Sequence, residues 1–241
     1  MKNLFNPRPL ICAVAVFCTL LTTHSYAQQP IAFKADYKAQ IKGFSVKATR
    51  ELKQVGQDQF ELSFKASSWA AKINETSVFS WQDQQVQPQQ YDYRQSAFGK
   101  KKARSIAFDQ QKQQITTLQD DQTNTLPLTE AVFDQLNYQL QLQMDVAADK
   151  KDLTYSIVRK GGLRQYRFEI LGDEILETQA GELNTVKVKV IRENKDKVTY
   201  IWFAKDWDYL LVQLEQYEGE KKRLAIALKK ATVNEQTLSG L

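Results

Sequence analysis

Hydrophobic residues recur at every second position over long stretches of this chain. In IAFKADYKAQIK, Ile31, Phe33, Ala35, Tyr37, Ala39 and Ile41 fall on one face, while Lys34, Asp36, Lys38, Gln40 and Lys42 fall on the other. That alternation predicts an antiparallel strand with one face buried and one in water. After Gly43 the pattern resumes through Phe44, Val46, Ala48 and Leu52, and VGQDQ then turns the chain. Phe60, Leu62, Phe64 and Ala66 make the next strand, followed by Ile73, Phe79 and Trp81. Further strands are predicted at Tyr91–Gln95, Arg104–Phe108, Ile115–Leu118, Leu153–Arg159, Tyr166–Leu171, Thr185–Ile191, Val198–Ala204, Leu210–Tyr217 and Leu224–Ala231. Gly161-Gly162, Asn194–Lys197 and Glu218–Glu220 suit hairpin turns between them.

One segment departs from the period of two. In LTEAVFDQLNYQLQLQMDVAAD the apolar residues Val132, Phe133, Leu136, Leu140 and Met144 recur near helical spacing. Thr129 suits an N-cap and Glu130 the first turn, so one amphipathic helix is predicted over about 129–145. A single helix cannot cover so large a sheet. The expected fold is therefore mainly β, a curved antiparallel sheet forming a barrel or half-barrel with that helix across one face or end.

The N-terminus places this sheet in a compartment. Lys2 and Arg8 precede an apolar run, Leu10–Leu21, and Ser25-Tyr26-Ala27 ends it with small residues. This is the three-part pattern of a secretory signal, and the run is too short for a membrane span of ~20 residues. The expected organisation is a signal peptide over 1–27, cleaved after Ala27, and a single β-rich domain over 28–241. The protein is then periplasmic and not integral to the membrane. Cys12 and Cys18 are poorly placed for lipid attachment. Both leave with the signal, as does His24, the only histidine.

Without Cys or His, the exported chain lacks the usual ligands of zinc, copper, haem and iron–sulfur centres, and the Ser-His and Cys-His catalytic pairs. No calcium loop, phosphate loop or nucleophile elbow is present either. No metal, no cofactor and no catalytic residue is expected. Removing Lys2 and Arg8 leaves 31 basic against 28 acidic residues, a net charge of +3. Such a balance suits anionic head groups or envelope polymers without requiring them.

The densest positive run, KKKAR, lies between two strands, with Gly99 at the turn before it. Nucleic acid is not an expected partner of an exported protein, so Lys100–Lys102 read first as a solvated hairpin tip. Parity singles out two other basic residues. Arg104 shares a strand face with Ile106 and Phe108, and Arg50 lies between Ala48 and Leu52 on the apolar side of its strand.

The order of motifs resembles an exported bacterial family, domain of unknown function 3108. The stretches that carry the likeness are FKADYKAQIKG, the YDYRQSAFGKKKARSIAFD hairpin, LPLTEAVFDQLNYQLQLQ, YRFEILGDEILETQAGELNTVKVKV and YIWFAKDWDYLLVQLEQYEGEKKRLAIALKKA. The more specific part runs through Gly172, Glu174, Thr178 and Gly181 to the Trp202-Phe203 strand and Asp206. Leu210-Leu211-Val212 departs from a Leu-Pro-Val run found there in the family. The resemblance implies a curved, mostly antiparallel sheet in the cell envelope and brings no established reaction.

The leading expectation is a non-enzymatic protein that binds a lipid or other amphiphile on the concave face of its sheet. Phe33, Tyr37, Phe64 and Trp202 are the candidate wall residues, and Arg50 and Arg104 the candidate head-group contacts. One alternative is an interaction module that binds an envelope protein or polysaccharide through sheet edges or basic hairpin tips. Trp202-Phe203, Trp207 and Tyr209 offer faces for sugar stacking, although core packing explains them as well. A carboxylate hydrolase would need Asp173, Glu174, Asp206 or Asp208 to converge in one cleft.

Overall fold

The computed structural model describes residues 29–41, 44–129, 131–159, 161–192 and 196–240. The expected signal peptide and its cleavage site, Cys12, Cys18, His24, Gly43, Glu130 and Asn194 lie outside the described residues. Two series of antiparallel hairpins make up the chain. The first comprises β1 (Phe33–Ile41), β2 (Phe44–Gln54), β3 (Gln59–Ser67), β4 (Ala71–Gln82), β5 (Gln85–Ala97), β6 (Lys100–Asp109), β7 (Gln114–Gln119) and β8 (Gln122–Pro127). Two-residue β9 (Val132–Phe133) and helix α1 (Asn137–Ala147) follow. The second series comprises β10 (Thr154–Arg159), β11 (Gly162–Thr178), β12 (Gly181–Ile191), β13 (Lys197–Ala204), β14 (Leu210–Glu218) and β15 (Lys221–Val233), with short β16 (Gln236–Thr237) at its end.

β1 pairs with β15, which joins both series into one 16-stranded sheet whose path runs from β8 through β1 and β15 to β9. Only the β9–β10 pair is parallel. Chain neighbours pair because short turns return each strand beside its predecessor. The sheet curls and stays unclosed. β8 and β9 are the ends of the path, and across the seam Asn124 Nδ2 donates to Gly161 O at 2.7 Å. Gly172, at φ +133°, sits in a bulge of β11 that shifts the register between Ile170 and Gly172 and helps bend the long strand.

The predicted alternation appears directly as burial. Phe33, Ala35, Tyr37 and Ala39 are buried and their neighbours on β1 are not. Phe60 and Phe79 stack at 5.7 Å in the inner core with Leu52, Leu62 and Ile115.

The helix departs from the sequence expectation. It begins at Asn137, not near Thr129, and Val132–Phe133 is a strand beside β10. The reason is Asp134, whose Oδ1 accepts the backbone N–H groups of Leu136 (2.7 Å) and Asn137 (2.8 Å). That carboxylate serves orphan donors at the helix start, so the coil begins there. Nor is the helix amphipathic. Asn137 and every residue from Leu140 to Val146 are buried, so it closes one end of the roll as a plug. Its polar side chains tie it to that end. Gln141 accepts from Val86 N and donates to Gln84 O, while Gln143 donates to Asp208 O.

Candidate functional site

Strand register stacks the inner face of the first series in rows. Nearest the helix plug, Phe33, Leu52, Leu62, Ser77, Tyr91, Ile106 and Thr117 stand side by side. The next row runs Ala35, Arg50, Phe64, Glu75, Tyr93, Arg104 and Gln119. The row beyond runs Tyr37, Ala48, Ala66, Ile73, Gln95 and Lys102. The charges Arg50, Glu75 and Arg104 are concentrated in the middle row, and going away from the helix the large residues give way to alanines along β2 and β3.

Five of the six sequence candidates share this inner face, with Arg50 and Arg104 four strands apart along one row. Phe33 lies in the first row, Arg50, Phe64 and Arg104 in the second, and Tyr37 in the third. Trp202 does not join them. Its register partners run Gln213, Ala227 and Lys38, which puts it on the face opposite Tyr37. There its Nε1–H donates to Glu174 Oε1, and Lys187 Nζ lies 4.8 Å from its ring centroid. Glu174, Lys187 and the Tyr200 ring flank it on that side, which explains its burial away from the concavity.

Arg50 is the anomaly of the site. It is 3% exposed, and among the described residues none of its three guanidinium nitrogens has a hydrogen-bond partner. The Phe33 ring centroid is 5.6 Å from its Cζ. Burial pushes the Arg50 pKa down, and the nearby Tyr37 and Tyr138 oppose that shift. The Tyr37 hydroxyl is itself pushed up to about 12 by burial and donates to Leu211 O at 2.8 Å. A buried cation without an anion costs several kcal/mol, because neither water nor a counter-charge replaces its hydration.

Glu75 does not meet that need directly. It is two strands from Arg50 in the same row, about 10 Å across the sheet. Its Oε2 accepts the Tyr91 hydroxyl at 2.6 Å. Burial raises its pKa, and the Tyr91 bond and the Arg104 charge lower it. Arg104 lies over the Tyr93 ring, 4.2 Å from the centroid. Beside it a hollow of about 420 Å³ is lined by Tyr93, Gln95, Lys102, Arg104 and Gln119 with the adjoining Ala103 and Asp120. Below lies Asp134, fully enclosed, its carboxyl raised from 3.8 to about 7 by burial despite bonds from Ser77 Oγ and two backbone N–H groups. Glu75 and Ser77 were within reach of sequence reasoning. They occupy the inward positions between Ile73 and Phe79, where strict alternation puts them. The burial of Asp134 had no such signal.

The carboxylates considered for hydrolysis run to separate partners. Asp173 meets Lys205, Glu174 meets Lys187 and Trp202, and Asp206 accepts from Asn184 at 2.7 Å. Among the described residues no group of three or more His, Cys, Asp and Glu side chains is placed to hold a metal ion. No described helix is long and apolar enough to cross a membrane.

A family model described as "Protein of unknown function (DUF3108)" matches residues 33–219. No curated protein matches the chain. Among solved structures, a β-barrel-like protein of domain of unknown function DUF1849 from Brucella abortus is similar at a TM-score of 0.55 and 8% identity. That likeness covers 85% of this chain and 98% of that one. A Bacteroides fragilis protein with a YmcC-like fold covers 85% of this chain and 97% of its own at 7% identity, with a TM-score of 0.33. The first likeness supports the barrel-like fold alone, and the second carries no argument.

Proposed function

The chain belongs to the DUF3108 family of proteins of unknown function, and from that premise we propose that it is an exported, non-enzymatic binding protein of the periplasm. In this reading residues 28–241 form one domain that holds an anionic amphiphile in the open end of its concave face. The observation that carries it is Arg50, a guanidinium buried in the inner face with no partner for any of its nitrogens. A positive charge in a low-dielectric wall attracts an anion more strongly than the same charge in water. Arg104 and Lys102 lie in adjoining rows nearer the hollow and are the first contacts an entering head group meets. Beside them, Ala48, Ala66 and partly buried Phe64 are the apolar surface against which a tail would lie. Phe60, Phe79, Leu140 and Leu142 fill the helix end, so the tail stays shallow.

The test is native mass spectrometry of protein purified from the periplasm without detergent, followed by organic extraction and by uptake of added lysophosphatidylglycerol. The expected result is a lipid-sized adduct or uptake of the probe, reduced about tenfold by Arg104→Glu. A bare protein mass with no uptake, or equal uptake by the variant, overturns the reading.

A further inference from the structure

Because the strands alternate in direction, the β3–β4 and β5–β6 turns lie together at the open end of the roll, opposite the helix plug. Two aromatic side chains stand there in water. Trp69 is 82% exposed and Phe98 is 76% exposed. Their rings meet edge to face at 6.2 Å and 87°, and Phe98 N–H donates to Ala70 O at 3.2 Å, so the two turns form one tip. Ser68 stiffens the first turn, its Oγ accepting the N–H groups of Ala70 and Ala71. In the second, Phe98 holds φ +49° ahead of Gly99 at +75°. A left-handed backbone is costly for a bulky residue and normally falls to Gly, Asn or Asp. Here it holds an aromatic ring outward, where burial gives nothing back. Phe44, 56% exposed, adds a third ring at the start of β2 at the same end.

Charge accompanies these rings. Lys100, Lys101 and Lys102 follow Phe98 and Gly99, all exposed, and no ion-pair partner holds them among the described residues. The patch ends at the β7–β8 turn, where Asp120 and Asp121 stand. The turns at the helix end include Asp83-Gln84, Gln110–Gln113 and Asn234-Glu235, and Trp207 and Tyr209 of the β13–β14 turn there pack against the core instead of standing in water.

Aromatic rings with adjacent unpaired lysines match the two layers of a bilayer surface. Rings settle at the boundary of acyl chains and head groups while ammonium groups meet lipid phosphates. We infer that the open end docks on an anionic phospholipid bilayer through Trp69, Phe98 and Phe44, with Lys100 and Lys101 on the phosphates. This orientation turns the mouth toward the membrane. The inference does not depend on the mouth holding a ligand, since its residues differ from Arg50 and Arg104.

The test is co-sedimentation of the purified exported protein with vesicles of phosphatidylcholine alone or mixed with phosphatidylglycerol. The expected result is binding to the mixed vesicles, weakened about tenfold by Trp69→Ala with Phe98→Ala. Lys100→Glu with Lys101→Glu weakens it most at low salt and by less as salt screens the charges, and a blue shift of tryptophan emission on binding disappears in Trp69→Phe. Uptake of lysophosphatidylglycerol is unchanged in the tip variants, which separates failure at the tip from failure at the mouth. No binding of wild type to the mixed vesicles overturns the inference, as does equal binding by the double aromatic variant.

Discussion

The two ends of the roll use the same inner face in opposite ways. At the helix end large side chains fill the space, and buried polar side chains are held by bonds. Asp145 accepts from Gln141 (2.9 Å) and Tyr155 (2.8 Å) and pairs with Lys150. Asn137 and Gln143 each leave one atom unpaired but are anchored through the other, and the buried Trp81 Nε1–H has no partner among the described residues. At the open end a guanidinium is buried with nothing bound to it, and aromatic rings stand in water. One end is built for stability. The other keeps unfavourable features that stability alone would remove, and such departures concentrate where proteins bind.

Four substitutions break or sharpen this contrast. The largest effect is expected from Phe79→Ala at the filled end. The ring is fully buried against Phe60, so its loss costs about 3–5 kcal/mol in denaturant unfolding. A loss comparable to that of an exposed site would mean that this end is not tightly packed.

Arg50→Met is expected to act in the reverse direction. Replacing an unpaired buried cation by an apolar chain of similar length raises stability by about 1–4 kcal/mol while reducing uptake of an anionic amphiphile. Lower stability would show that Arg50 serves the fold.

The third effect is on pH dependence. In the folded state Asp134 keeps its proton to about pH 7, whereas its ordinary value is 3.8. The folded state therefore holds more protons inside that window. Its contribution is fully present below 3.8 and is lost as pH rises through about 7. Glu75, also raised, acts in the same direction. Melting temperature should fall from mildly acidic to neutral pH, and Asp134→Asn should flatten that fall; an unchanged slope would assign it to other groups.

The smallest effect belongs to the seam. Asn124→Ala removes the exposed seam bond to Gly161 O and a local one accepted from Thr125 N, the seam bond being worth about 0.5–1.5 kcal/mol. Faster amide exchange in β8, with little change elsewhere, would mark the seam as the weak line of the unclosed sheet.

Much of this fold was legible because strand parity is a local property. Ile31 through Ile41 alternate regardless of which strand lies beside them, and the inward positions of Arg50 and Arg104 follow from the same count. Glu75 was equally legible by its place between Ile73 and Phe79. β8 was not, since QTNTLP has no apolar alternation and pairs through its backbone alone. The helix start was misread because Val132 and Phe133 fit helical spacing and strand pairing alike, and only Asp134, by binding the N–H groups of Leu136 and Asn137, decides between them. Trp202 shows the remaining limit. Alternation says that it and Phe203 point apart, but which face is concave depends on how β11–β15 curve.

By itself, then, the sequence determined a long antiparallel meander with one helix, because side-chain period and turn residues act over a few positions. It also supplied the residues on the concave face. The tertiary structure alone decided which of them meet. Register across five strands, β2 to β6, placed Arg50, Phe64, Glu75 and Arg104 in one row, and folding left Arg50 without a partner among the described residues. Strand direction brought Trp69 and Phe98 to a single tip. These are long-range outcomes of curvature and pairing, and no local pattern encodes them.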